Sequence, residues 1–189
     1  PCGRHAPRLL AEKRSDHSLR KVPVERASAR RTGERVSKGV MKRTIVLRIV
    51  EAGVSAVADV LDAEAPKTAR LIWDALPLEG QLVHGMYSGP ELFIVLPGFP
   101  AVGAENQVQR ALPGDVGYWH NEAGIHAAAP HEVAELVFVY DRGVSIKGTD
   151  GSDSWVNLFA GIRVAESAEF FDVCKRSRRE GPWTLKVER

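Results

Sequence analysis

The sequence feature that most constrains the fold is the stretch from 65 to 80, which reads APKTARLIWDALPLEG. Its apolar residues recur at the spacing of one helix face, at Ala69, Ile72, Trp73 and Leu76. Pro66 suits the first turn of a helix, and Pro77 prevents its continuation. We therefore predict a short helix over Ala65–Leu76 whose apolar face packs against another element.

Most of the other patterned segments after residue 40 alternate apolar and polar residues and predict β-strands. The predicted strands are 44–50, 54–61, 81–88, 91–96, 116–119, 132–141, 155–163 and 183–187, with a more polar one at Glu105–Ala111. The run Leu136–Tyr140 is the most strongly β-forming, so we expect its strand to be central. A second helix is predicted from a capping Ser167 to about Arg179. The pattern favours a mainly β fold, a closed antiparallel β-barrel of about eight strands with two capping helices.

Several motifs resemble a known family. A strand pair followed by Ala-Pro-Lys-Thr-Ala and an apolar helix resembles the first third of the cyclophilins. The longer string over 65–80, together with Glu105–Gln107, Pro113–Val116 and Asn157–Ala160, is similar to a bacterial family of small cyclophilin-like proteins, domain of unknown function 3830. The resemblance spans about residues 42–189 and implies a cyclophilin-like barrel. It implies no particular activity, because the family is uncharacterised.

Charge divides the chain into two parts. Residues 1–40 carry 11 Lys and Arg against 4 Asp and Glu, whereas the remaining residues carry 15 against 20. We predict a disordered basic tail over 1–40 and a single barrel domain over 41–189. The string Ser-Lys-Gly-Val before Met41 can be encoded by a purine-rich, ribosome-binding-site-like stretch, so the tail is expected to be translated leader. The mildly acidic barrel argues against a nucleic-acid partner.

Other classes of protein are disfavoured by what the sequence lacks. Its two cysteines make no disulfide framework, which predicts a cytoplasmic protein. No apolar run reaches the length of a membrane span. No phosphate-binding loop, dinucleotide fingerprint or nucleophile elbow occurs, so we predict no cofactor and no covalent catalysis.

Specific residues bear on two further functions, prolyl isomerisation and metal binding. In cyclophilins an arginine after the first helix polarises the prolyl amide, but no arginine occurs here between Arg70 and Arg110. We therefore predict that the protein is not a prolyl isomerase. Four potential metal ligands lie within twelve residues, namely His120, Glu122, His126 and His131. Their irregular spacing in a loop leads us to predict no metal.

The remaining polar residues of the predicted strands indicate a ligand pocket in the barrel. His84 and Glu105 are the acid–base candidates. The ligand-binding candidates are Tyr87, Asn106, Gln107, Tyr118, His120 and Asn157. Each also has a structural interpretation: a His or Tyr as part of the barrel wall, and Asn157 as a tie to a neighbouring loop. A structural role for Asn106 predicts that Asn106→Ala lowers stability, by about 1–3 kcal/mol.

Two functions from different classes follow. The first is binding of a small polar metabolite, such as a cyclic amide or carboxylate, with hydrolysis or isomerisation as the reaction. The resemblance adds that some other cyclophilin-like proteins take part in opening cyclic amides such as oxoproline. The alternative is a non-catalytic partner subunit of a metabolic enzyme complex. A homodimer is compatible with both.

Overall fold

The computed structural model describes residues 42–122 and 131–189. The predicted leader over 1–40 and the candidate ligand His126 lie outside these residues. Within them the strands are β1 (Thr44–Ile49), β2 (Val54–Val60), β3 (Leu78–Gln81), β4 (Val83–His84), β5 (Glu91–Val95), β6 (Gln107–Val108), β7 (Asp115–Asn121), β8 (Val133–Val139), β9 (Val156–Ile162) and β10 (Thr184–Glu188). The helices are α1 (Pro66–Ala75) and α2 (Ala168–Glu180), with a 3₁₀ turn at Val164–Glu166 before α2.

The strands form one antiparallel sheet that curls into a nearly closed barrel. Their order is β3-β10-β1-β2-β9-β7-β8-β5-β4, and β6 also pairs with β9. The two end strands, β3 and β4, follow each other in the chain with only Leu82 between them, so the chain itself joins the ends of the sheet. Strand β8 pairs on both sides and is central, as predicted. The predicted mainly β barrel with two helices is confirmed.

The barrel interior is filled by apolar side chains. Every second residue of β1, at Ile45, Leu47 and Ile49, is fully buried. Ala69 and Ile72 of α1 and Phe170 of α2 are buried in the same cluster, so both helices close the core as their apolar faces predict. The interior is therefore a packed core.

A second, smaller apolar cluster covers the opposite, outer face of β5, β7 and β8. It includes Trp119, Val137 and Val139, and Val144 and Ile146 from the following loop are buried with them. The register places Glu91 opposite Val139, and Glu135 opposite both Val95 and Trp119. Side chains at alternate positions share a face, so both carboxyl groups lie on this outer face.

Three local predictions are wrong. The strand expected over 81–88 is limited to β4, and residue 81 belongs instead to the separate strand β3. The polar strand expected over Glu105–Ala111 is reduced to Gln107–Val108, because Asn106 adopts a left-handed conformation with φ of 43° that a strand does not permit. The second helix does begin after Ser167, but the hydroxyl of Ser167 donates to the Arg163 carbonyl and does not cap α2.

Neither α1 nor α2 is long and apolar enough to cross a membrane, and no other helix of the described ranges is.

Candidate functional site

The structure separates the two residues predicted to act as acid and base. His84 lies on β4, where it contacts Tyr140 and Arg178. Glu105 lies beside the start of α1: its Oε2 accepts the Thr68 amide at 2.8 Å, the Thr68 hydroxyl at 2.9 Å and the Lys67 amide at 3.1 Å. Because Ala65 at the N-cap has no side chain to cap α1, Glu105 satisfies these amides from a distant part of the chain.

The charge of Glu105 suits this structural role. Burial raises the pKa of its carboxyl group, but the hydrogen bonds from Thr68 and Lys67 and the charge of Lys67 together lower it more. The net result is a pKa below the ordinary value, so Glu105 is ionised at neutral pH and complements the positive end of the helix dipole. The catalytic role of Glu105 stays a prediction. Its contacts are those of a remote cap, that is, a helix cap supplied by a distant part of the chain.

Asn157 and Tyr118 hold the loop that carries Glu105. Asn157 Nδ2 donates to the Gly103 carbonyl at 2.7 Å and to Thr68 Oγ1 at 3.2 Å, and its Oδ1 accepts the Glu105 amide at 3.2 Å. The Tyr118 hydroxyl donates to the Pro100 carbonyl at 2.7 Å. The expected tie between Asn157 and a neighbouring loop is therefore present in the structure.

Substitutions of Asn106 test whether its left-handed backbone conformation affects the stability of the protein. Its Nδ2 donates to the Leu158 carbonyl at 2.9 Å, and its φ is positive. Asn106→Ala and Asn106→Gly both lose that hydrogen bond, but only alanine resists the left-handed conformation. We expect the alanine variant to be less stable than the glycine variant by about 1 kcal/mol in urea unfolding. Equal stabilities would show that backbone strain has no part in the choice of Asn106.

Four of the other predicted residues line one cavity of about 390 Å³, which we call the loop cavity. They are Gln107, Tyr118, His120 and Asn157. His120 Nε2 lies 2.7 Å from Glu132 Oε1, so the imidazole is engaged by a surface carboxylate. Because Tyr118 and Asn157 are also engaged by the protein, the loop cavity offers few free hydrogen-bonding groups from the predicted set.

A second cavity, of about 220 Å³, opens on the outer face of the sheet, and we call it the outer cavity. Glu91 and Glu135 line it together with His84, Tyr87 and apolar walls that include Phe93 and Trp119. Glu105 and Asn106 line neither cavity in the described part of the chain. The outer cavity thus joins two predicted residues, His84 and Tyr87, to two carboxyl groups that were not predicted.

Glu91 is buried with an incomplete set of hydrogen bonds. Its side chain is only 6% exposed, and Oε2 has no hydrogen-bond partner among the described residues. Burial raises the pKa of Glu91, and a hydrogen bond with Ser88 partly opposes this. The close fit depends on Gly85, since a Cβ there would lie 2.4 Å from Glu91 Oε1.

Glu135 is mainly protonated near neutral pH. Burial first, and the nearby charge of Glu91 second, raise its pKa to about 8. A carboxyl group with this pKa is mainly protonated at pH 7 and can donate a hydrogen bond or a proton to a ligand. Both carboxyl groups therefore have raised pKa values, and that of Glu135 is high enough for its neutral form to predominate at pH 7.

His84 supports the outer cavity from its edge. Its Nε2 lies 2.6 Å from the Tyr140 hydroxyl, and its Nδ1 lies 2.8 Å from the Gly85 carbonyl and 3.0 Å from an Arg178 nitrogen. Burial chiefly lowers the pKa of His84; the charge of Arg178 also lowers it, and the Gly85 carbonyl opposes both. His84 is thus neutral at pH 7, with both ring nitrogens engaged by the protein.

The sequence contained a signal for the missed carboxyl groups. Glu135 interrupts the apolar run of β8, and Glu91 begins the apolar run of β5. A lone carboxylate in an apolar, central strand is costly to bury without a partner. That cost marks such a residue as a functional candidate.

Within residues 42–122 and 131–189, no group of three or more His, Cys, Asp or Glu side chains is arranged to hold a metal ion. His120 and Glu122 line the loop cavity, while His126 is outside these ranges, so the predicted absence of a metal stays a prediction.

Comparison with known proteins identifies a family and a fold. The model of the family described as "Protein of unknown function (DUF3830)" matches residues 47–188. No curated protein matches in sequence. Among solved structures, McbB in complex with tryptophan is similar, with 17% identity and a TM-score of 0.55, over 77% of this chain and 44% of that chain. The solution structure of the hypothetical protein AF2241 from Archaeoglobus fulgidus is 20% identical, with a TM-score of 0.48, over 78% of this chain and 95% of that chain.

Proposed function

The chain belongs to the DUF3830 family of proteins of unknown function, and from that premise we propose that its outer cavity binds a small polar molecule and performs acid–base chemistry on it. The observation that carries the proposal is the pair of partly or fully buried carboxyl groups, Glu91 and Glu135, on one cavity, both with a raised pKa and that of Glu135 at about 8. Such pairs supply an acid and a base side by side. We also propose that the barrel is cyclophilin-like and without prolyl isomerase activity.

The two carboxyl groups have complementary roles in this proposal. Protonated Glu135 donates to a carbonyl oxygen of the ligand, and ionised Glu91 accepts an N–H or a proton from water. A cyclic amide presents both groups and fits these roles. In its hydrolysis, water oxygen bonds to the carbonyl carbon, its proton passes to Glu91, the C–N bond breaks and Glu135 protonates the leaving nitrogen. A carboxylate ligand fits this cavity less well, because its charge repels Glu91.

His84 acts in this proposal as a positioning residue. His84 contacts the Gly85 carbonyl and the Tyr140 hydroxyl, and these contacts hold the backbone at Gly85. The Gly85 amide in turn donates a hydrogen bond of 3.1 Å to the Glu91 carbonyl, so the position of Gly85 affects that of Glu91. The likeness to McbB, which binds tryptophan, supports the fold alone. The proposal therefore rests on the outer cavity of this chain.

A thermal-shift screen of the full chain against lactams, ureas and carboxylates tests the proposal. A ligand at 100 times its Kd is expected to add about 2.7 kcal/mol of stability, which raises Tm by several degrees. The shift should disappear in Glu91→Gln and in Glu135→Gln, and persist in Glu79→Gln, whose carboxylate is exposed on β3. If the shift disappeared only in Glu105→Gln, the ligand would instead bind at Glu105, the residue predicted from the sequence.

The competing function is that of a non-catalytic partner subunit. Met86 and Tyr87, at the rim of the outer cavity, are 79% and 54% exposed, and apolar side chains so exposed are typical of interfaces. This function predicts no ligand in the screen and co-purification with another protein that Met86→Glu abolishes.

A further inference from the structure

The charged groups that line the outer cavity are all acidic. Glu91 and Glu135 line it, whereas none of its lining residues in the described ranges is lysine or arginine. The imidazole of His84 is the remaining titratable base, and both of its nitrogens are engaged by the protein. A ligand that enters the outer cavity therefore meets two carboxyl groups and no lysine or arginine among the described lining residues.

Glu91 forms no ion pair with any residue in the described ranges. Among the described residues, Ser88 is its hydrogen-bonding side chain, and Oε2 is buried with no partner there. The Ser88 hydroxyl oxygen accepts the Lys147 amide at 3.0 Å, so that amide orients Ser88 and does not reach Glu91. A buried carboxylate oxygen without a partner is unfavourable, and a donor on a ligand removes that cost.

The apolar part of the outer cavity is suited to the same ligand. Phe93, Trp119 and Tyr87 line it. Aromatic rings attract cations through the negative potential of their faces, and desolvation strengthens this attraction. Thr149, also in the lining, has a buried hydroxyl oxygen without a partner in the described residues.

The volume of the outer cavity limits the ligand to a small molecule. At about 220 Å³ it is smaller than the roughly 300–1,000 Å³ of sites for drug-sized ligands. A single six-membered ring with one or two substituents is of the right order. Together these observations indicate a compact ligand with one hydrogen-bond donor, which contacts Glu91, and one hydrogen-bond acceptor, which contacts Glu135.

We propose that the ligand of the outer cavity is a small organic cation, whose positively charged nitrogen is held by Glu91 beside Phe93, Trp119 and Tyr87. This inference rests on the proposed function, and it names the charge class of the ligand at the same site. Glu135 contacts an acceptor on the same molecule, so an amine that also carries a carbonyl group satisfies both carboxyl groups.

Isothermal titration of the full chain at pH 7 with three matched rings tests the inference. The rings are 3-aminopiperidin-2-one, which is cationic, piperidin-2-one, which is neutral, and 6-oxopiperidine-2-carboxylate, which is anionic. We expect the amine to bind at least about tenfold more tightly than the neutral ring. The anion should bind more weakly than the neutral ring.

Variants show whether Glu91 causes the preference. Glu91→Gln should remove the tenfold preference, while Glu79→Gln leaves both affinities unchanged. Glu91→Met is a second variant for use if Glu91→Gln does not fold, and the thermal unfolding of each is measured first. Equal or tighter binding of the neutral ring by the wild-type protein would overturn the cation inference and leave the proposed function in place. Absence of binding by all three rings would overturn both.

Discussion

Glu135→Gln is expected to stabilise the protein by several kcal/mol at pH 9 and to change its stability little at pH 4. In the folded protein, burial and the charge of Glu91 raise the pKa of Glu135 to about 8 from an ordinary value of 4.5. Because the folded state holds the proton more tightly, the contribution of Glu135 is fully present below pH 4.5 and is lost as pH rises towards 8. At about 1.4 kcal/mol per pKa unit, the loss reaches up to about 5 kcal/mol.

Urea unfolding at intervals from pH 4 to pH 9 measures this effect. The free energies of unfolding of wild type and Glu135→Gln should diverge with rising pH, since glutamine does not titrate. The groups that share the cavity, Glu91, His84 and Tyr87, remain in both proteins, so the difference reports the titration of Glu135 together with its coupling to Glu91. Glu79→Gln, with its exposed side chain, should follow wild type at every pH. Parallel curves for Glu135→Gln and wild type would contradict the raised pKa.

Asn157→Ala is expected to lower the free energy of unfolding by about 3 kcal/mol. The side chain is 4% exposed and makes three hydrogen bonds, to Gly103, Thr68 and the Glu105 amide. Truncation leaves these groups unpaired in a buried place, at a cost of about 1–3 kcal/mol for each that water does not reach. It also releases the loop that carries the remote cap of α1.

The matched control for Asn157 is its neighbour across the strand pair. Gln107 pairs with Asn157 in register but has an exposed side chain, so Gln107→Ala should change the free energy of unfolding by less than about 0.5 kcal/mol. Asn157→Asp keeps the acceptor for the Glu105 amide and loses both donors, and we expect it to be destabilised as well. A loss below about 0.5 kcal/mol for Asn157→Ala would show that the loop is held by other contacts.

Three glutamates illustrate how environment decides the chemistry of one residue type. Amide and hydroxyl donors hold Glu105 ionised at the end of a helix. Glu91 and Glu135 lie on an apolar face, where the Ser88 hydroxyl is the described hydrogen-bonding side chain of Glu91, and both have raised pKa values. Donors around a carboxylate favour its charged form, and apolar surroundings favour the neutral form. The glutamates suited to acid–base chemistry are therefore those of the outer cavity.

The residues of the predicted candidate site lie in different places in the structure, for a physical reason. Spacing along a strand shows which side chains share a face, but not whether that face is interior or exterior. Tyr118 points into the packed barrel core, whereas Glu91 and Glu135 lie on the outer face. His84 and Tyr87 line the outer cavity because β4 pairs with β5, as expected for neighbouring strands 81–88 and 91–96 joined by Gly89-Pro90.

The sequence by itself determined the local elements of this protein. The apolar spacing in α1, the alternation in β1 and β2 and the β-forming run of β8 are short-range patterns that directly express backbone geometry, and they sufficed for a mainly β barrel with two helices. Only the tertiary structure decided that Glu105 caps α1 at the Lys67 amide, 38 residues away, and that Glu91 and Glu135 share a cavity. These contacts depend on strand register and on the covering loops, because burial and hydrogen bonding are properties of neighbours brought together from distant parts of the chain.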